Sequence, residues 1–147
     1  MPADLKPLLD DLAAESARFA ITEVKVGRGA PWAVPLPLLV PPRVAMEILL
    51  TGDPVTAQEA LAIGLINRVV PHAELIPTAR AIAERICRNG PLAVRSIKQA
   101  VIEAYNRPWE EAFAIESKIS GVVLASDDAK EGPRAFAEKR EPRFTGH

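Results

Sequence analysis

The sequence predicts an α/β chain that is mostly helical, with one or two short strands. Three observations carry this. After Pro42, apolar residues recur at helical spacing almost to the end of the chain. Before it, "RFAITEVKV" (residues 18–26) alternates apolar and polar side chains and is rich in β-branched residues. Between them, Gly27, Gly29, Pro31, Pro35, Pro37, Pro41 and Pro42 punctuate a stretch in which no regular helix is expected.

In chain order, Lys6 to Ala14 reads as one or two helical turns among mixed signals from Pro2, Pro7, Asp10 and Asp11. A strand follows over residues 18–26. If Phe19 and Ile21 point inward, Glu23 points inward with them. The proline-rich stretch is apolar (Trp32, Val34, Leu36, Leu38, Leu39, Val40), so it is expected to pack rather than to stand in water. "RVAMEILLTG" places Val44, Ile48 and Leu49 on one helical face and stops at Gly52. Thr56 and Glu59 form a capping-box pattern for a helix that stops at Gly64. "LINRVV" is a short β-like run ended by Pro71. A helix to about Asn89 carries Leu75, Ala79, Ile82, Ala83 and Ile86. The next, from Pro91 to about Tyr105, carries Val94, Ile97, Val101 and Ala104. Another starts at Pro108, a favoured first-turn position, with Phe113, Ile119 and Val123. The last pairs Asp128 with Glu131 as a cap, and Pro133 kinks or restarts it. No internal repeat or low-complexity tract interrupts this order.

Composition narrows the function classes. The 147 residues suit about one domain, and 48% hydrophobic with 25% charged residues is ordinary for a soluble globular protein. The net charge of -1, without a basic patch, argues against nucleic acid. One cysteine, Cys87, and two histidines offer neither an internal disulfide nor a metal cluster. Cys87 is expected to be a semi-buried thiol and His72 a solvated loop residue. The start lacks the basic-then-apolar order of a signal peptide, and the longest apolar run is too short and proline-rich to span a bilayer. A soluble cytoplasmic protein with no membrane partner is the expectation.

Several segments, in order, resemble the crotonase superfamily, the enoyl-CoA hydratase/isomerase family. "AAESARFAITEVKVG" is similar to the strand leading to the family's second active-site glutamate. "AMEILLTGDPVTAQEALAIGLINRVVP" is the most specific match, and "GPLAVRSIKQAV" and "SDDAKEGPRAFAEKREPRFTG" follow in register. The resemblance covers about Ala13 to Gly146 and corresponds to the C-terminal half of a full-length member. It implies a truncated chain whose oxyanion-hole amides and first glutamate belong upstream. The position of that glutamate falls around Ala3, and neither Asp4 nor Asp10 sits in a matching motif. "GRGAPWAVPLPLL" also replaces most of a Gly-rich helix start with Pro and Trp.

The implied fold is the C-terminal part of a ββα spiral. Residues 1–42 are the remnant of the spiral core with the active-site loop. Residues 43–147 are the helical region of oligomerisation and CoA-pocket helices. The implied chemistry is water addition to, or proton shuttling at, an α,β-unsaturated acyl-CoA. No cofactor is implied, because coenzyme A is part of the substrate, and the implied assembly is a trimer or a dimer of trimers.

By residue-for-residue match, Glu23 corresponds to the second glutamate, a proton donor or shuttle in a pocket near Phe19 and Trp32. The other reading of Glu23 is a surface charge paired with Lys25 or Arg28. Phe136 and Lys139 match positions that contact the CoA moiety, with Lys139 near phosphate. The other reading is a helix-end lysine favoured by the helix dipole, with Phe136 in the core. Trp109 and Phe113 read as packing at a helix start, "SDD" at 126–128 as a helix cap, and "EKREPR" as a solvated face. The rivals to an enzyme are a catalytically incomplete acyl-CoA-binding or oligomerisation module lacking the oxyanion hole, and a helical interaction domain with shared ancestry only.

Overall fold

The structure is a computed structural model, and it describes residues 12–29 and 32–147. The chain divides into two compact units, Met1–Ala83 and Glu84–His147.

In the first unit, β1 (Leu12–Ala14) pairs in parallel with β4 (Arg68–Val70), Ala13 opposite Val69. The helix expected over Lys6–Ala14 is thus a strand at its Leu12–Ala14 end, and Lys6–Asp11 lie outside the described residues. "LAA" has good helix propensity, but pairing against "RVV" buries all three side chains, and burial outweighs propensity. β2 (Arg18–Phe19) pairs antiparallel with β3 (Val55–Thr56). The strand expected over residues 18–26 is therefore two residues long. Glu23–Val26 instead wind into a 3-10 turn, closed by Gly27 at φ +69°. The alternation outlives the ladder: Phe19, Ile21 and Glu23 are half-buried, while Ala20, Thr22 and Val24 are exposed.

The proline-rich stretch holds one helical turn, α1 (Leu36–Leu39), where none was expected. Pro35 is its N-cap and Pro37 lies in its first turn, where a missing N–H leaves no intrahelical bond unmade. Leu36 and Val40 are buried, whereas Trp32, Val34, Leu38 and Leu39 remain exposed, so only part of the stretch packs. α2 (Pro42–Thr51) follows and ends on Gly52 at φ +62°. α3 (Ala57–Ala62) has the capping box read from the sequence: Thr56 Oγ1 accepts from the Glu59 amide, and Glu59 accepts from the Thr56 amide. The Thr56 hydroxyl and amide hold the Glu59 carboxyl below its usual range.

Two apolar clusters hold this unit. Leu36, Val40, Ala45, Ile48 and Leu49 form one, with Ile21 and Val55 against it. Ala13, Ala57, Ala60 and Ile66 form the other, with Phe19 and Val69 against it. Ala57 and Ala60 have no exposed surface, and such small side chains let α3 lie close to the strands.

α4 (Leu75–Cys87) turns Ala79 inward, with Leu75, Ile82, Ala83 and Ile86 half-buried beside it. Cys87, at its last residue, is exposed rather than semi-buried, because it falls off that stripe. In the second unit α5 (Pro91–Ala104) packs along α6 (Trp109–Leu124). Trp109 and Phe113 stack on each other with centroids 6.1 Å apart, but in the open rather than in a core. α7 (Asp127–Ala137) is continuous through Pro133. Its cap is Ser126, whose Oγ accepts from the Ala129 amide at 3.1 Å, and not the expected Asp128–Glu131 pair.

Candidate functional site

Glu23 opens the 3-10 turn. The turn is closed by main-chain bonds from Lys25 to Thr22 O, Gly27 to Val24 O and Arg28 to Glu23 O, at 3.0–3.2 Å. It rests on the C-terminal end of α2, and Gly52 lies under Val24 and Lys25. The Lys25 ammonium, one of the two cations weighed as a surface partner for Glu23, is bound 2.8 Å from Asp53 Oδ1. Among the described residues no ion pair or side-chain hydrogen bond reaches the Glu23 carboxylate. Trp32 belongs to the same unit and is 47% exposed. No hydrogen bond or ring contact joins it to Glu23 among the described residues.

Phe136 and Lys139 belong to the second unit. Phe136 is 86% exposed, so the alternative that placed it in the core is corrected: the face of α7 that packs carries Asp128, Glu131 and Ala135. Lys139 stands just past the helix with φ +54°, in the left-handed region. Its amide donates to Phe136 O at 3.1 Å, and the Arg140 amide donates to Ala135 O at 3.0 Å. This pair of bonds is a Schellman ending with lysine where glycine is the usual residue.

What holds that ending is a set of charges that sequence reading missed. Glu131 is buried. Its Oε1 accepts from Arg140 Nη1 at 2.6 Å and from the Arg143 amide at 2.9 Å, and its Oε2 accepts from Arg134 and Arg140. Arg140 above all, then the Arg143 amide and Arg134, hold the Glu131 carboxyl far below the usual range, and Glu131 raises Arg140 in return. Asp128 accepts from the Thr145 and Gly146 amides at 2.7 and 2.9 Å. Phe144 lies against Gly90 and Gly132. "EKREPR" is exposed at every residue but Pro142, as the sequence suggested, while Arg140 and the Arg143 amide also reach in to Glu131. The i,i+3 spacing of Glu131 and Arg134 was legible. The Glu131–Arg140 pair spans a helix ending and was not.

Among the described cavities of the second unit, two are the larger. An apolar groove of about 500 Å3 between α5 and α6 is lined by Ile97, Val101, Val123 and Leu124. A polar recess of about 430 Å3 lies among Asp128, Glu131, Arg140 and Arg143. Neither is lined by Glu23 or Trp32. No group of three or more metal-ligating side chains suited to an ion lies among the described residues, and no helix among them is long and apolar enough to cross a membrane.

The chain is similar to known proteins along most of its length. The sequence profile described as enoyl-CoA hydratase/isomerase matches residues 10–147. An enoyl-CoA hydratase of Mycobacterium tuberculosis is 46% identical over 138 residues, covering 90% of this chain and 51% of that protein. The (E)-benzylidenesuccinyl-CoA hydratase of Thauera aromatica is 39% identical over 137 residues, covering 92% and 54%. Among solved structures, an enoyl-CoA hydratase from Bacillus anthracis superposes with a TM-score of 0.88 at 37% identity, covering 92% of this chain and 54% of that one. One from M. tuberculosis gives 0.87 at 41% identity, covering 92% and 55%. The chain spans about half the length of the curated relatives it matches.

Proposed function

Because this chain belongs to the enoyl-CoA hydratase/isomerase family, in the crotonase superfamily, we propose that it acts on acyl-CoA thioesters with Glu23 as an acid–base group. In hydration, the oxygen of water bonds to the β-carbon and a carboxylate takes the proton that water loses. A carboxylic acid gives a proton to the α-carbon, and the thioester oxygen carries enolate charge between the two steps. We assign the second of these proton transfers to Glu23. In an isomerase it would carry a proton from one carbon to another alone. The remaining carboxylate and the two amides that stabilise the enolate oxygen are assigned to the half of the relatives' length that this chain does not match. Coenzyme A enters as part of the substrate, with Lys139 toward phosphate and Phe136 against the CoA moiety, and Trp32 contacts substrate. No separate cofactor is needed. The cytoplasmic setting expected from the sequence stays part of the proposal.

The observation that carries this reading is the half-buried Glu23 carboxylate, without an ion pair among the described residues, at the position that matches the family's glutamate. The test is hydration of a short enoyl-CoA, followed by loss of the conjugated double bond. Glu23→Gln is expected to lower kcat by about 10²–10⁴-fold with folding preserved. An unchanged kcat in Glu23→Gln would refute the acid–base role.

A second reading is favoured by one observation. Ile97 and Val101 are 65% and 62% exposed along the α5–α6 groove, an apolar face larger than a lone surface residue would make. On this reading the chain is a catalytically incomplete acyl-CoA-binding or oligomerisation module, and the face meets further copies of the chain. CoA binding measured by calorimetry, with no turnover of enoyl-CoA, would favour it over the first.

A further inference from the structure

We propose that Gly52 and Asp53 are positioning residues for Glu23: the turn that ends α2 fixes the 3-10 turn on which that carboxylate stands. The functional consequence rests on the acid–base reading of Glu23, whereas the geometry does not. Gly52 is buried and sits at φ +62°, so any other residue is strained there. A Cβ at Gly52 would also come within 3.0 Å of Val24 Cγ1 and of Lys25 Cε. Lysine can swing its end away. Val24 is branched at Cβ and has few rotamers, so relieving that contact means moving the backbone next to Glu23.

One residue further, a charge holds the same turn. Asp53 Oδ1 is 2.8 Å from Lys25 Nζ. Asp53 is itself set by Thr51: the Asp53 amide donates to Thr51 Oγ1 at 3.2 Å, and that hydroxyl donates to Glu47 O at 2.8 Å. The 3-10 turn is thus seated against a missing methyl group and tied by an ion pair. The pair has a second effect, because a lysine bound to Asp53 is not spent on the carboxylate two residues before it. Both features come from "LTGDP", a segment outside the residues proposed to act on substrate.

The test uses the whole chain, labelled for NMR. Amide exchange is read at Lys25, Gly27 and Arg28, whose N–H groups close the turn. Gly52→Ala is expected to speed exchange there about tenfold, with the Glu59 amide of the capping box unchanged. Asp53→Asn, which keeps the backbone, serves where Gly52→Ala does not fold, and is expected to speed the same amides about threefold. The charge swap Lys25→Asp with Asp53→Lys is expected to restore the protection that Asp53→Asn loses. Unchanged exchange at these amides in Asp53→Asn and in a folded Gly52→Ala overturns the proposal. In enoyl-CoA hydration both variants are expected to lower kcat and leave KM in place. A loosened turn with full kcat, where Glu23→Gln is inactive, overturns the positioning role. Full activity in Glu23→Gln refutes the acid–base reading instead and leaves the exchange result standing.

Discussion

Lys139→Gly separates the two readings of Lys139, because they predict different outcomes for stability and for CoA affinity. Lys139 closes α7 at φ +54°, with the Lys139 and Arg140 amides making both bonds of the Schellman ending. A non-glycine residue in that region costs about 1–2 kcal/mol. Glycine loses more backbone entropy on folding, about 0.5–1 kcal/mol. The difference leaves glycine more stable by up to about 1.5 kcal/mol, a rise in Tm of up to about 6 °C for a chain of this size. If Lys139 serves only the helix dipole, its removal costs about 0.3–1 kcal/mol and cancels that gain. If it binds the phosphates of CoA, Tm rises while affinity falls about tenfold, the worth of one charge-assisted hydrogen bond. Scanning calorimetry and a CoA titration on the two proteins read both quantities. An unchanged affinity for CoA refutes the phosphate role, and a lowered Tm refutes the backbone arithmetic.

Two further predictions concern the second unit. Glu131 has its carboxyl held low in the folded chain, so the unfolded chain takes up a proton first as pH falls. The stability it contributes is present above the ordinary carboxylate range and is lost in acid. Denaturant midpoints between about pH 6 and pH 3 should fall more steeply for the parent chain than for Glu131→Gln, and parallel slopes would refute the assignment. The paired change Ile97→Glu and Val101→Glu should convert an associating chain into a monomer in sedimentation at micromolar concentration, with helix content unchanged. A parent chain already monomeric there would refute association through the α5–α6 face.

Much of the helical part was legible because local chemistry and tertiary packing agree. Gly52 ends α2, Thr56 and Glu59 cap α3, and the stripe from Leu75 to Ile86 turns inward as its spacing requires. The misreadings fall where tertiary partners decide. Leu12–Ala14 is a strand only because Arg68–Val70 lies beside it. Residues 18–26 kept their alternation but not their ladder, since β3 offers Phe19 and Arg18 a partner only two residues long. Two prolines do not forbid α1, because one caps it and the other sits in its first turn. The face of Glu23 was readable from a period of two. That Lys25 would turn to Asp53, 28 residues away, was not.

The candidate residues of each unit are shaped within that unit, by different means. Around Glu23 the means are steric: a left-handed glycine and a missing Cβ let one turn lie on another, with a single exposed ion pair. Around Lys139 they are electrostatic: a buried carboxylate gathers two arginines and a main-chain amide, and the strained residue sits between the helix and that cluster. Salt screens exposed charges but leaves packing against a glycine untouched. Raised ionic strength should therefore loosen the exposed Lys25–Asp53 tie more than the Arg140–Glu131 pair, whose carboxylate is buried, and leave the packing of Val24 on Gly52 in place. A left-handed lysine that a charged cluster must hold is a costly way to end a helix when glycine would do it without strain. Such a cost can be borne where the side chain itself is needed, and the CoA titration of Lys139→Gly decides between that and a helix-end cation.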